Sequence, residues 1–125
     1  MTEENLDKIA AEVGFELADN KKDSAKEFER TVTKALGILI EDGLFAYAIW
    51  LESEDEKEII DKSFELLRDK TKLIKGDYNK NKEKLREATL KEISPSIEKT
   101  LLARQLLERM LVYARYRAKA LQKGD

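Results

Sequence analysis

The chain has 125 residues, 42% hydrophobic and 40% charged, with a formal net charge of −2, no cysteine and no histidine. Lacking thiols and imidazoles, it has no disulfides, no thiolate metal centre, and neither the commonest general base nor the commonest metal ligand. One proline, five glycines and a charged share far above the usual level of about 25% read as a single domain, 1–125, built from amphipathic helices.

Thr2 is placed to cap a first helix in which Leu6, Ile9, Ala10, Val13 and Leu17 recur at the three-and-four spacing of one buried stripe, ending near Asp19-Asn20. Asp23 or Ser24 then caps a second helix carrying Phe28, Val32, Ala35, Leu36, Leu39 and Ile40 at the same period, and Gly43 stops it. The uncharged run "LFAYAIWL", 44–51, predicts a helix enclosed by the others at the centre of the core. Ser53 with Glu56 predicts a capping box for the next helix, whose buried side holds Ile59, Ile60, Phe64, Leu67 and Thr71.

Around Gly76 the pattern lapses into "KGDYNKNKEK", a polar and lysine-rich stretch that predicts a mobile loop with Tyr78 as its one large apolar group. A shorter helix follows through Leu85, Ala88, Thr89, Leu90 and Ile93. Ser94 as cap and Pro95 at the first helical position then open a last helix of about 27 residues. Strand-like alternation is missing. The predicted fold is all-α: a compact bundle of five or six mostly antiparallel helices with a long C-terminal helix across the rest. The acidic start lacks the order of a signal peptide, and no apolar run approaches the roughly 20 residues of a membrane span, so a cytoplasmic protein with no membrane partner is expected.

The small net charge hides an asymmetry: residues 1–66 hold 8 Lys/Arg against 18 Asp/Glu, and residues 67–125 hold 16 against 8. Two acid-rich and base-rich halves can neutralise each other internally, pair between copies of the chain, or offer the basic part to a polyanion. On the last helix, Arg104, Arg109, Arg115, Lys119 and Lys123 with Tyr116 lie opposite the apolar half, a basic ridge with one aromatic that suits a nucleic-acid phosphate backbone. The helix macrodipole alone also accounts for Lys119 and Lys123 near a carboxyl end.

Arg117 is the anomaly, because it projects into the apolar half, where a guanidinium must snorkel, pair with an acid from the first half, or enter an interface. A second basic region includes Lys75, Lys80, Lys82, Lys84 and Arg86 around Tyr78 and Asn79; it fits either a grip on single-stranded nucleic acid or a solvated corner between helices. The acidic run 52–58 lacks the glycine and alternating oxygens of a calcium loop, and no nucleophile stands beside a base. No catalytic residue, metal or cofactor is therefore expected.

The stretch "GILIEDGLFAYAIWLESE", 37–54, a helix ending in a Gly-Leu step before an aromatic, alanine-rich helix, resembles the small subunit of the Cmr effector complex, the type III-B CRISPR assembly. The end "ARQLLERMLVYARYRAKAL", 103–121, resembles that family's last helix, although Asp42 and Tyr113 stand where the family tends to have asparagine and tryptophan. The resemblance implies a non-catalytic subunit that stacks in an inner filament with copies of itself or a neighbouring subunit and lines the channel for guide RNA and target RNA. Its basic surface would fall on Arg104, Arg109, Arg115 and Lys119. The alternative is a helical protein-protein adaptor without a nucleic-acid role, docking through the apolar half of the last helix and Arg117.

Overall fold

A computed structural model describes residues 3–78 and 84–123, without the side chains of residues 3, 4 and 84. The expected cap Thr2, the loop residues Asn79, Lys80 and Lys82, and the Lys84 side chain lie outside the described residues. Six α-helices and no strand occur among the described residues: α1 Glu3–Asp19, α2 Ala25–Asp42, α3 Leu44–Ser53, α4 Lys57–Phe64, α5 Lys84–Ala88 and α6 Ile97–Lys123. A 3₁₀ turn, Lys22–Ser24, leads into α2, and π turns continue α4 through Glu65–Lys70 and α5 through Thr89–Ile93.

The long α6 lies between α1 and α2. Ala103, Leu106, Leu107, Met110, Leu111, Ala114 and Ala118 form its buried stripe, the three-and-four spacing that the sequence carries. Ile40 meets Arg104 while Glu29 meets Gln122, so α2 runs antiparallel to α6. Asp7 meets Tyr113 and Asp19 meets Arg117, so α1 follows the same sense as α6. Buried Gly14 permits the close approach of α1 to α6, because its missing Cβ would fall 2.4 Å from the Met110 carbonyl oxygen. Gly43 adopts φ 99° and ψ −180°, a region open essentially to glycine, and its amide donates to the Ile38 and Leu39 carbonyls. The chain therefore reverses from α2 into α3 through a single residue.

A buried hydroxyl pair ties α3 to α4. Ser63 donates to the Ile59 carbonyl at 2.8 Å, which leaves the Tyr47 hydroxyl to donate to Ser63 Oγ at 2.7 Å. Nearby, Lys62 is buried and bonds Glu16 of α1 and, at 3.0 Å, Glu65. Burial works to lower the Lys62 pKa, but the two carboxylates outweigh it and hold the ammonium charged.

Several local expectations are corrected. The α3 helix is not enclosed on all sides: Leu44, Tyr47, Ala48 and Leu51 are buried, but Phe45 and Ile49 are 40% and 41% exposed. No capping box forms at Ser53, because α3 extends through it and its hydroxyl donates to the Trp50 carbonyl; Asp55, at φ 55°, makes the turn instead. Ser94 does not cap α6 either, since its amide donates to the Thr89 carbonyl and completes the π turn. Ser96 is the cap, its Oγ accepting from the Lys99 amide at 3.2 Å. The stretch expected as a mobile loop is anchored as far as Tyr78. Ile74 is fully buried, its amide donates to the Leu67 carbonyl at 2.9 Å, and the Tyr78 ring lies 5.8 Å from that of Phe64.

Candidate nucleic-acid interface

The expected basic ridge of α6 is not one free surface. Its wheel position puts Arg104, Arg115, Lys119 and Gln122 on the stripe beside α2, and Arg109 and Arg117 toward α1. Arg104 donates to the Ile40 carbonyl at 2.6 Å, where it satisfies an orphan acceptor at the carboxyl end of α2. Arg109 sits 3.9 Å from Asp7, the carboxylate that also accepts from Tyr113. Arg115 is half-buried, with Nε shielded and without a hydrogen-bond partner, and its guanidinium lies 5.8 Å from the Tyr116 ring centre. Lys119 approaches Glu29 at 3.8 Å. Only Tyr116, Lys119 and Lys123 of the six are exposed.

Arg117 resolves among its three alternatives by pairing: Nε donates to Asp19 at 2.8 Å, at the surface rather than in the core. The two charge blocks thus neutralise each other in part through Arg109–Asp7, Arg117–Asp19 and Lys119–Glu29, each a base of α6 against an acid of the first two helices. These pairs are exposed or half-exposed, so each adds little stability.

A second cationic feature emerges from α2, in the half of the chain that is acidic overall. Lys26, Arg30 and Lys34 recur every four residues, about 6 Å apart along the axis, on the solvent side of the helix. With Glu29, Thr33 and Gln122 they line an open groove of about 430 Å³ between α2 and the carboxyl end of α6. Glu29 is engaged by Gln122 at 2.9 Å and by Lys119, so its charge is already partnered. Lys26 and Arg30 have no ion-pair partner among the described residues, and Lys34 stacks 5.9 Å from the Trp50 ring centre. Lys123, next to Gln122 in sequence, is exposed. The sequence signal was present as an i, i+4, i+8 cation series, hidden because the surrounding acids dominate the charge count.

The backbone around residue 75 meets Glu92, which the sequence did not single out. Its carboxylate accepts from the Lys75 amide at 2.7 Å, the Gly76 amide at 3.1 Å and the Tyr78 hydroxyl at 2.5 Å. Partial burial works to raise the Glu92 carboxyl, but these donors outweigh it and hold its pKa below the usual carboxylate value. Burial and the same contact push the Tyr78 hydroxyl up to about 12. Lys75 itself is exposed, whereas Arg86 is directed to Glu52, which accepts from the Arg86 amide at 3.0 Å.

Large apolar side chains meet solvent on α2, α3, the second π turn and the start of α6. Ile40, Phe45, Ile49, Leu90, Leu101 and Ile97 are between 40% and 79% exposed there. The apolar half of α6, by contrast, is covered by α1 and α2 and offers no docking face. Among the described residues no group of acidic side chains is placed to hold a metal ion, and no helix is long and apolar enough to cross a membrane. Comparison with protein-family models, curated proteins and solved structures finds no match to this chain.

Proposed function

We propose that this protein is a non-catalytic, RNA-binding structural subunit that touches the sugar-phosphate backbone through the α2–α6 groove. The reading rests on one observation above the others: Lys26 and Arg30, without ion-pair partners among the described residues, line an open groove together with Lys34 and Gln122. Cations in a groove neutralise phosphates and release counterions without reading bases, and Tyr116, 59% exposed on α6, adds a face on which an unpaired base can stack. Within that class, the likeness of 37–54 and 103–121 to the Cmr small subunit favours a type III-B CRISPR ribonucleoprotein in the cytoplasm, with guide and target RNA as ligands. The exposed apolar side chains then meet a neighbouring subunit or another copy of the chain.

The test is binding of a single-stranded oligoribonucleotide by the full chain across a salt series. Replacing the groove cations Lys26, Arg30 and Lys34 by alanine lowers the slope of log affinity against log salt by about 2, from roughly 0.7 per phosphate contact on a single strand. Unchanged affinity and slope in that variant reject the groove.

The adaptor reading is favoured by a different observation, the exposed apolar side chains of Ile40, Phe45, Ile49, Leu90, Ile97 and Leu101. Self-association or partner capture through them, with no RNA affinity even at low salt, would select it.

A further inference from the structure

The Glu92 contact has the form of a filled anion site. Two consecutive backbone amides, those of Lys75 and Gly76, and the Tyr78 hydroxyl converge on the two oxygens of one carboxylate. Successive amides aimed at one point make the concavity by which backbones hold phosphates and other anions. The loop is held in shape from elsewhere, by the buried Ile74 with its bond to Leu67 and by the Tyr78 ring against Phe64. Its donors therefore remain in place when the carboxylate leaves. The loop packs closely against both partners, since a Cβ on Gly76 would fall 2.9 Å from the Glu92 carboxylate and from the Tyr78 ring.

The surroundings are cationic. Lys72 and Lys75 are exposed on the loop, and the Lys99 ammonium lies close enough to act on the same carboxylate. A phosphodiester presents two anionic oxygens on one centre, as the carboxylate does, and carries the same single charge. We propose that the Lys75 and Gly76 amides with the Tyr78 hydroxyl form a binding nest for one backbone phosphate of RNA, which the Glu92 carboxylate occupies until RNA displaces it. This inference rests on the RNA-binding reading above. It makes Glu92 an internal competitor that weakens binding at this end of the molecule.

The test follows backbone amide resonances of the full chain in the parent and in Glu92→Gln, Glu92→Ala and Glu98→Gln, titrated separately with inorganic phosphate and a short oligouridylate. Glu98 is exposed on the first turn of α6, so Glu98→Gln reproduces the charge change without opening the nest. The expected result is that phosphate moves the Lys75 and Gly76 resonances in the Glu92 variants but not in the parent or Glu98→Gln. Oligouridylate should bind the Glu92 variants about threefold tighter than Glu98→Gln, one released phosphate contact's worth. If Glu92→Ala loosens the loop, the isosteric Glu92→Gln decides.

Equal gains in Glu92→Gln and Glu98→Gln reduce the effect to net charge and overturn the nest. Oligouridylate binding elsewhere, with Lys75 and Gly76 unmoved in both Glu92 variants, overturns this inference and leaves the RNA reading standing. Phosphate shifts without oligouridylate binding to any form reject RNA as the source, and with it the functional reading, leaving a site for free phosphate.

Discussion

Gly14 of α1 lies directly against Met110 of α6: a Cβ at Gly14 would sit 2.4 Å from the Met110 carbonyl oxygen and 3.2 Å from the Ala114 amide nitrogen. Both obstacles are backbone, which cannot swing aside as a side chain does. Gly14→Ala therefore forces α1 away from α6 and is expected to destabilise the protein by about 1–3 kcal/mol, despite the roughly 1 kcal/mol that alanine gains by helix propensity. Gly37, in the middle of α2 with nothing within 4 Å of its Cβ position, is the matched control. Gly37→Ala should stabilise by about 0.5–1 kcal/mol. Urea unfolding of both variants checks the pair, and equal shifts of the same sign would mean that α1 and α6 do not meet at Gly14.

Tyr47 and Ser63 give a second, internally controlled prediction. Tyr47→Phe removes one buried hydroxyl and leaves Ser63 still donating to Ile59, so the loss should be about 0.5–1.5 kcal/mol. Ser63→Ala leaves the Tyr47 hydroxyl buried without its acceptor and should cost more, about 1–3 kcal/mol. In the double variant both polar groups are gone, and its loss should fall short of the sum of the two single losses. Strict additivity in denaturant melts would show that the hydroxyls are not coupled.

The all-α plan was legible because helices advertise themselves locally: Val32, Ala35, Leu36 and Leu39 recur at helical spacing, and all four are buried as that spacing demands. What depended on geometry between helices was not. Ser53 and Glu56 have the spacing of a capping box, yet α3 persists through Ser53, whose hydroxyl turns back to the Trp50 carbonyl. Ser94 and Pro95 resemble a helix start, but a π turn reaches across to Ser94 and moves the start to Ile97. The ridge of α6 was read on an isolated wheel, whereas α2 covers the stripe holding Arg104 and Arg115, and α1 takes Arg109 and Arg117. Lys26 and Arg30 do not stand out in the sequence, because an acid-rich segment can still carry a basic stripe on one face. The bond from Glu92 to Lys75 spans 17 residues, and no local pattern announces it.

The Glu92 anchor carries a pH dependence. Its folded pKa is depressed relative to the unfolded value near 4.3, so the stabilisation it supplies is fully present above that value and is lost as pH falls through the lower folded pKa. The Lys75 and Gly76 amide shifts should hold constant from neutral pH to about pH 5 and change only in more acidic solution. On the alkaline side, the Tyr78 hydroxyl should ionise at about 12, and Glu92→Gln should bring that transition down toward the ordinary tyrosine value. A change in the two amide shifts centred between pH 6 and 8 would contradict the hydrogen-bonded carboxylate.

Arg104 and Arg30 are both cations beside the α2–α6 seam, and they separate packing from binding. Arg104 caps the end of α2 through the Ile40 carbonyl, so Arg104→Ala removes a charged donor from a helix terminus and should cost about 1 kcal/mol of stability. Held to the end of α2 and outside the groove lining, it should change RNA affinity less than twofold at moderate salt. Arg30 lines the open groove without an ion-pair partner among the described residues, so Arg30→Ala should leave stability within about 0.5 kcal/mol. Its loss should instead weaken RNA binding severalfold and flatten the salt dependence by about 0.7. Thermal melts and oligoribonucleotide titrations on the same two variants test the division. A larger affinity loss in Arg104→Ala than in Arg30→Ala would return the interface to the α6 ridge, because the groove accounts for binding only if its unpaired cations carry it.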